Sequence, residues 1–506
     1  MNVTHCIEEV ARRFPSRPAL IVDESGEQVS FRQFADAIAA TGALICKNAK
    51  LSEGGRVALL GDGSAHYLYA EYGAMNAGLV RVSLDPSLTS EELAAQISDA
   101  GAGVLLFASA HAQRAEEVQR LIGGTRLALA LLDDLGNLTA PQEVPQSDDG
   151  KGIAALNYTG GTTGKPKAVI HTHASLNAAK ENVVQAWIAD GSDAARLMLN
   201  VRPLWPIAAI GLLAHLSQGG TVILGGHFSS ETFADQVARH GAQCTSLVPT
   251  HLVRLTRELK PGDERLASLQ RIDIGAAALS FDVLSQAKEI FGNTLAMLYG
   301  LTEAPWSCYR NRAALSLVTR DDLLTHGLVG VPTRNSRISI LSPDGLPCAT
   351  GESGEVVIEG GHLMACYWNR PQATSDVLFG GRFHTGDVGQ LDEAGRLYLT
   401  GRAKEIIRSG GKSVQPGEVE AVLCEHPAVA DAAVVGIADV EWGEMVAAAV
   451  VAKLGATLSA EILTEYCRQR LSAHKRPRRI LIVESVPRSH YGKIQRAKVK
   501  QQFDQV

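Results

Sequence analysis

Residues 158–167 read Tyr-Thr-Gly-Gly-Thr-Thr-Gly-Lys-Pro-Lys, and these residue types suit the phosphates of a nucleotide. Glycines let the backbone curl closely around an anion and turn loop N–H groups toward it. The hydroxyls of Thr159, Thr162 and Thr163 add donors, and Lys165 and Lys167 add charge. The spacing differs from the common phosphate loop. Three residues separate Gly160 from Gly164, where that motif needs about four, and Pro166 follows Lys165 where it needs Ser or Thr. The apolar run Ala168-Val-Ile-His-Thr172 reads as a second strand after Ile153-Ala-Ala-Leu156, whereas the common loop opens a helix. A Gly/Thr-rich hairpin with no ligand is the plainer alternative.

Three later stretches carry further chemistry. Tyr299-Gly-Leu-Thr-Glu303 follows Leu295-Ala-Met-Leu298 as a loop follows a strand. Downstream of a phosphate loop, Glu303 is a candidate ligand for Mg²⁺, which on ATP takes one or two carboxylates. Phe383-His-Thr-Gly-Asp387 precedes Gly401-Arg402. An aspartate in a cleft accepts bonds from both ribose hydroxyls, and a neighbouring arginine helps fix a nucleotide. Gly492-Lys493-Ile-Gln-Arg496 places a lysine in a turn near the C-terminus; taken alone, Lys493 reads as a surface residue.

The elements that must position these groups alternate β and α over the first 300 residues. Strand-like runs include 56–60, 103–107 and 220–224, and amphipathic helices fit 91–100, 174–189 and 281–291. This alternation argues for mostly parallel sheets covered by helices. From about 327 to 399 the texture turns to short β-rich segments (337–341, 355–359, 396–400) separated by turns such as Asp344-Gly345. That predicts a small antiparallel or barrel-like subdomain. After Gly401 comes a unit of helix 417–425, strand 429–437, strand 445–451, helix 459–471 and strand 479–483, an α+β domain with its own core. The polar boundary at 401–404 reads as a hinge or a rigid connection.

A chain of 506 residues is too long for one core. Its 45% hydrophobic and 20% charged content is that of an ordinary soluble globular protein. No apolar run is long enough to span a bilayer. The N-terminus lacks the basic and apolar regions of a signal peptide. Eight scattered cysteines without a Cys-x-x-Cys pair argue against zinc and disulfides and fit a reducing, cytoplasmic setting. Charge is uneven: net −10 over residues 1–401 and net +4 from Arg402 onward. Between Arg468 and Lys500 eleven residues are basic and only Glu484 is acidic. That stretch is either a solvated face or a surface for a phosphorylated ligand. Nucleic acid is disfavoured, because interleaved aromatics and a binding motif are absent.

Taken together and in order, these stretches resemble the adenylate-forming superfamily of acyl-CoA synthetases, luciferases and peptide-synthetase adenylation domains, from about residue 10 to residue 498. The segment 158–167, with Thr159, Gly160, Gly161, Thr162, Thr163 and Gly164, is similar to the family's phosphate loop. Gly275, Ala276 and Ala277 resemble its adenine and acyl-site strand end. Tyr299, Gly300, Thr302 and Glu303 match its Tyr-Gly-x-Thr-Glu motif, Asp387 and Arg402 its ribose site, and Gly492-Lys493 its catalytic lysine motif. The resemblance implies an α/β fold with a large N-terminal adenylation domain, 1–401, of two helix-covered sheets and a small β-barrel-like subdomain. It also implies a hinge at 402–404 centred on Lys404 and a small mobile C-terminal domain, 405–506. A carboxylate would attack Mg-ATP to give an acyl-adenylate and pyrophosphate, with Lys493, Glu303, Thr302 and Lys167 catalytic and Glu303 the metal ligand. The C-terminal domain would then swing about Lys404, present Gly410-Gly411 to the site, and admit a nucleophile that displaces AMP.

The expected acid is a small-molecule hydrophobic carboxylate. Peptide-synthetase domains carry an aspartate near the segment that here reads Arg202-Pro-Leu-Trp-Pro-Ile-Ala-Ala-Ile-Gly211, and no acid stands in it. Trp205, Ile207, Ala208 and Trp306 suggest a pocket for an aryl, alicyclic or medium acyl group, although both tryptophans also suit core packing. Pro206 follows Trp205 where many relatives carry His, and proline cannot donate a hydrogen bond. Coenzyme A is the expected nucleophile, with Trp442, Arg476 and Arg478 resembling positions that grip its nucleotide in aryl-CoA ligases. His474 and Ser87 depart from that pattern, standing where some relatives place an aromatic and an arginine. The alternatives are direct transfer to an amine, giving an amide, and loading of a carrier-protein phosphopantetheine.

Overall fold

The computed structural model describes residues 1–61, 63–123, 127–135, 152–159, 166–191, 196–204, 206–275, 279, 281–319, 327–488 and 494–504. The β-strands and helices fall close to where periodicity puts them. The helices are His173–Ala189, Ser90–Ala100 and Phe281–Phe291, and the strands include Arg56–Leu60, Val104–Phe107 and Thr221–Leu224. Local chemistry sets several ends. Ser30, Thr89 and Thr172 each form a capping box with the residue three positions on, and Gly101 ends Ser90–Ala100 in a left-handed conformation.

Two sheets dominate the large N-terminal domain. One has six described strands, five of them parallel, with Lys167–Thr172 antiparallel to Ile153–Thr159 at its edge. The other has fourteen described strands; its parallel half runs through Pro18–Val22, Thr221–Leu224, Leu197–Asn200, Cys244–Leu247, Arg271–Ile274 and Leu295–Tyr299. Side chains alternate between the faces, as the period of a strand requires. Val57 and Leu59 join the core between the sheets, while Ala58 and Leu60 join the core beneath the outer helices. Likewise Ile272 and Ile274 face an outer cluster, which turns Arg271 and Asp273 toward the helices between the sheets. The layers are therefore helix, sheet, helix, sheet, helix.

The β-rich stretch is antiparallel as read, but it does not close into a barrel. Leu328–Pro332, Leu397–Arg402, Arg382–Leu391, Gly354–Glu359 and Arg337–Leu341 continue the large sheet outward from Cys308–Arg310. Leu328–Pro332 pairs on one side with Cys308–Arg310 and on the other with Leu397–Arg402, so the β-rich segment is the open end of an existing sheet. This ties Asp387 and Arg402 to the same sheet that carries Tyr299.

The small C-terminal domain has a five-stranded sheet. Val434, Val446 and Ala448 face one cluster, with the helices Pro416–Cys424 and Ala460–Arg470. Ala433, Val435 and Ala447 face another, closed by Val499 and Phe503 of Arg496–Asp504. Among the described residues, no helix is long and apolar enough to cross a membrane.

Candidate active site

Ile153–Thr159 and Lys167–Thr172 form an antiparallel pair that brings Thr159 opposite Lys167. The expected phosphate-binding positions Gly160, Gly161, Thr162, Thr163 and Gly164 lie outside the described residues. The helix His173–Ala189 begins directly after the second strand, and Thr172 caps it. His171, buried on that strand, uses Nε2 against the Thr302 carbonyl at 2.7 Å and Nδ1 against Ser175 at 3.1 Å. Burial lowers its pKa to about 4, so the ring is neutral at physiological pH. The hairpin is thereby fastened to the loop carrying Thr302 and Glu303.

Glu303 is held at two points. Its carbonyl accepts from the Met364 amide at 2.8 Å, and its Oε1 accepts from the Tyr367 hydroxyl at 2.7 Å. Burial and the Glu303 carboxylate raise the Tyr367 pKa, which keeps this phenol a donor. The Lys167 ammonium lies 4.6 Å from the centroid of the same ring, within cation–π range. Glu303 Oε2 has no hydrogen-bond partner among the described residues, and the residue is only half-buried. One carboxylate oxygen anchored and one open fits a divalent cation carried in on a triphosphate. No group of three or more His, Cys, Asp or Glu able to hold a metal alone occurs among the described residues.

Asp387 lies across the sheet from this pair. Tyr299 donates to its Oδ2 at 2.7 Å, and the Arg402 Nε lies 2.9 Å from its Oδ1. Strand register makes the second contact, because Asp387 and Arg402 are paired in adjacent strands. The Asp387 amide donates to Thr385 Oγ1 at 3.0 Å, and Thr385 Oγ1 donates to the Val356 carbonyl at 2.7 Å. Burial and the adjacent carboxylate push the Tyr299 pKa far above that of a free phenol. A carboxylate offers about four lone-pair directions, so each Asp387 oxygen keeps one for a vicinal diol. Gly300 is required locally: a Cβ there would lie 2.6 Å from the Trp306 nitrogen. Gly275 is required too, since a Cβ would lie 2.6 Å from Leu298. Ala276 and Ala277 lie outside the described residues.

Lys404 sits in the short turn Ala403–Glu405, where burial first and then Arg402 lower its pKa, with Lys167 acting in the same direction and Asp387 opposing. The residue expected at the hinge is thus within electrostatic reach of the nucleotide side of the site. Beside it, Arg496 binds Glu405 at 2.7 Å and also reaches Glu420 and the Val434 carbonyl. Lys493, three residues before Arg496, lies outside the described residues.

A narrow cavity opens between His173–Ala189, Ile210–Ser217 and the large sheet. Trp306 lines it as expected; Trp205 lies outside the described residues, as does the side chain of Ala208. Ile207 lines a smaller neighbouring cavity instead, with Glu71 and Arg81. The larger cavity is less apolar than the sequence suggested, because Asn200, Arg202, Ser246 and Asp273 also reach it. Sequence reasoning missed Tyr367, Trp187 and Asp273. Trp187 falls on the buried face of its helix and looked like core, and nothing in the spacing pointed Tyr367 at Glu303.

On the C-terminal domain, Gly410 and Gly411 turn the hairpin Ile407–Ser409 to Lys412–Val414 with φ of +57° and +75°. The Gly410 amide donates to the Trp442 carbonyl at 2.9 Å, and a Cβ on Gly410 would lie 2.7 Å from the Trp442 ring. Arg478 stacks on that ring at 3.8 Å. Arg476 stands apart: its guanidinium donates to the carbonyls of Leu471 and Arg468 at 2.8 and 3.0 Å.

Comparison with known proteins agrees with this layout. The AMP-binding enzyme family matches residues 7–368, and the AMP-binding enzyme C-terminal domain matches residues 418–493. A feruloyl-CoA synthase from Amycolatopsis sp is 32% identical, the match covering 89% of each chain. The structure of o-succinylbenzoate CoA synthetase from Bacillus subtilis, solved with its acyl-adenylate intermediate, is 28% identical. It superposes with a TM-score of 0.85 over 98% of this chain and 97% of that one. The amide bond synthetase from Marinactinospora thermotolerans is also 28% identical, with a TM-score of 0.88 over 99% of both chains. The first family model alone covers more than half of the chain, including both strands of the hairpin and the Glu303 loop, and the chain therefore belongs to the AMP-binding enzyme family.

Proposed function

We propose that the protein is an AMP-forming acid–thiol ligase. It activates a carboxylic acid with ATP as an acyl-adenylate, releases pyrophosphate, and transfers the acyl group to coenzyme A. The observation that carries this reading is the convergence of two anchored carboxylates on one sheet. Glu303 keeps one oxygen open beside Lys167, and Asp387 keeps two lone-pair directions between Tyr299 and Arg402.

In this reading Asp387 accepts the ribose hydroxyls, with Tyr299 and Arg402 fixing its orientation. Thr159, Lys167 and the hairpin tip hold the phosphates. Glu303 would hold Mg²⁺, which neutralises phosphate charge as the α-phosphate is attacked. Thr302 is positioned by His171 through its carbonyl, leaving its hydroxyl for the nucleotide. Lys493 supplies positive charge to the developing pentavalent phosphate. Residues 1–401 form the adenylation domain, 405–506 the mobile domain, and 402–404 the hinge about Lys404. Rotation there removes Lys493 and brings up the Gly410–Trp442–Arg478 cluster for the second step. The working compartment is the cytoplasm.

One observation favours a second reading. Arg476, expected to bind a phosphate of coenzyme A, is tied to two backbone carbonyls, as suits an enzyme that hands its adenylate to an amine. The two readings separate in one experiment. The protein is incubated with Mg-ATP and a panel of hydrophobic carboxylates, with coenzyme A or with amines, and products are identified by mass. A thioester formed only with coenzyme A is expected. An amide formed without it transfers the protein to the second reading, and no AMP from any acid overturns both.

A further inference from the structure

Trp306 is one of three described non-glycine residues with a positive φ, and the only aromatic among them. Its φ is +55°, a left-handed conformation that is an outlier for a bulky side chain. It is 3% exposed. Its backbone is held there by its surroundings: the Trp306 carbonyl accepts from Thr333 Oγ1 at 2.7 Å and from Asn182 Nδ2 at 3.2 Å. Its ring is fixed by Trp187 in a T-shaped contact at 6.1 Å and by Tyr309 stacked at 6.1 Å. Strain that the surroundings over-determine in this way is characteristic of functional sites.

Trp306 lines the acyl cavity and carries a hydrogen-bond donor on its ring. The indole Nε1–H of Trp306 has no hydrogen-bond partner among the described residues, and it is buried. The ring edge that carries Nε1 also carries Cζ2. Cζ2 lies 3.7 Å from where a Cβ on Gly211 would be, and Gly211 lines the same cavity. A buried donor left without an acceptor is costly, so an acceptor is expected at this place.

The neighbouring charges favour an acceptor over a donor. Asp273, the one carboxylate lining the cavity, is already engaged. Its Oδ2 receives Arg271 Nε at 3.2 Å and Trp187 Nε1 at 3.0 Å, and its Oδ1 receives the Tyr309 hydroxyl at 3.1 Å. The next carboxylate, Asp190, is paired with Arg312 at 2.8 Å. Against these stand Arg202, which lines the cavity and donates to Ser246 at 3.0 Å, and Arg271. Arg271 is 0% exposed; its guanidinium lies 4.0 Å from the Trp187 ring centroid, and its two terminal nitrogens have no hydrogen-bond partner among the described residues.

We infer that the acyl cavity recognises an acid bearing a second oxygen acceptor, remote from the carboxylate that is activated, and that the Trp306 indole N–H is the specificity-determining donor. A carbonyl, hydroxyl or second carboxylate oxygen each has the required chemistry. This inference rests on the ligase reading above, since it assigns that reading's acyl pocket.

The test compares matched acids with and without the distal oxygen: 4-oxo-4-phenylbutanoate against 4-phenylbutanoate, 4-hydroxybenzoate against benzoate, and terephthalate against 4-methylbenzoate. Pyrophosphate release gives kcat/KM for each with the wild-type protein and with Trp306→Phe. At least one oxygenated acid is expected to exceed its partner by about tenfold, because a site built around a donor rejects the analogue that lacks the acceptor. Trp306→Phe, which deletes the N–H and keeps an aromatic ring, is expected to bring that ratio to within about threefold. The pair that responds identifies the class of oxygen. A second readout is independent of turnover and of the variant's folding: in the wild-type protein with ¹⁵N-labelled tryptophan, one indole signal moves downfield with the oxygenated acid and not with its partner. Equal kcat/KM across every pair, a ratio untouched by Trp306→Phe, or no indole signal that distinguishes the partners overturns the inference while leaving the ligase reading standing. No pyrophosphate from any acid removes both.

Discussion

Tyr367 donates its hydroxyl to Glu303 at 2.7 Å while its ring faces the Lys167 ammonium at 4.6 Å, so one side chain fixes the spacing between a cation and a carboxylate. In the proposed reaction both groups serve the phosphates, and Tyr367 bridges them. The prediction is that Tyr367→Phe keeps the ring and the cation contact but frees Glu303. Loss of a hydrogen bond to a charged group is worth about 1.5–3 kcal/mol, or roughly ten- to a hundredfold. The adenylation kcat/KM should fall by that factor and recover in part at high Mg²⁺. An unchanged Mg²⁺ dependence in pyrophosphate exchange would remove Tyr367 from this role.

The two partners of Asp387 are unequal. Tyr299→Phe deletes one donor to a carboxylate and should raise the KM for ATP by about tenfold, near 1.5 kcal/mol. Asp387→Asn removes the charge opposite Arg402 and one acceptor for the ribose, and should cost about tenfold more than Tyr299→Phe. Titration of each variant with ATP checks the order. A Tyr299→Phe defect as large as that of Asp387→Asn would mean that the tyrosine acts on something other than the carboxylate.

Gly410→Ala places a methyl against Trp442 and forces an alanine to φ +57°. Strain of this kind costs about 1–3 kcal/mol. Because Gly410 sits in the C-terminal domain against Trp442, and not on the sheet that carries Asp387 and Tyr299, adenylation should survive while acyl transfer drops. Lys404→Pro should give the same division by fixing the backbone at the hinge. Single-turnover measurement of adenylate formation and of its consumption separates the steps. Normal thioester formation by Lys404→Pro would falsify the swing.

Stability should depend on pH through three buried histidines. Burial lowers His171, His215 and His362 from 6.5 to about 4. Between those values the unfolded chain binds protons that the native protein does not. The stability is complete above pH 6.5 and is lost as pH falls toward 4, by up to about 1.4 kcal/mol per pH unit for each histidine. The urea midpoint should therefore drop between about pH 7 and pH 5, above the range where carboxylates titrate. A flat midpoint across that interval would show that these rings are charged or solvated in the native state.

Much of this protein was readable from residue order. Apolar periodicity placed Phe281–Phe291 and Arg56–Leu60 at their observed bounds, and the break from Gly164-Lys165-Pro166 into Ala168–Thr172 marked a hairpin rather than a helix. Those features are local: side-chain period, turn residues and caps act over a few positions. The order of the motifs was readable for the same reason, since each is a short contiguous run of residues. The contacts that join the motifs were not readable. Tyr367 meets Glu303 across 64 positions, Tyr299 meets Asp387 across 88, and Trp187 meets Asp273 across 86. Spacing does not encode such meetings, because strand order and helix packing decide them. The expected barrel became the open end of a larger sheet because Leu328–Pro332 pairs with strands on both sides, a choice made between strands and not within them. The acyl cavity is the clearest case. Its tryptophan was visible as a residue type, but its left-handed backbone, its unpaired N–H and the carboxylate already claimed by three donors arise only when helix and sheet close around them.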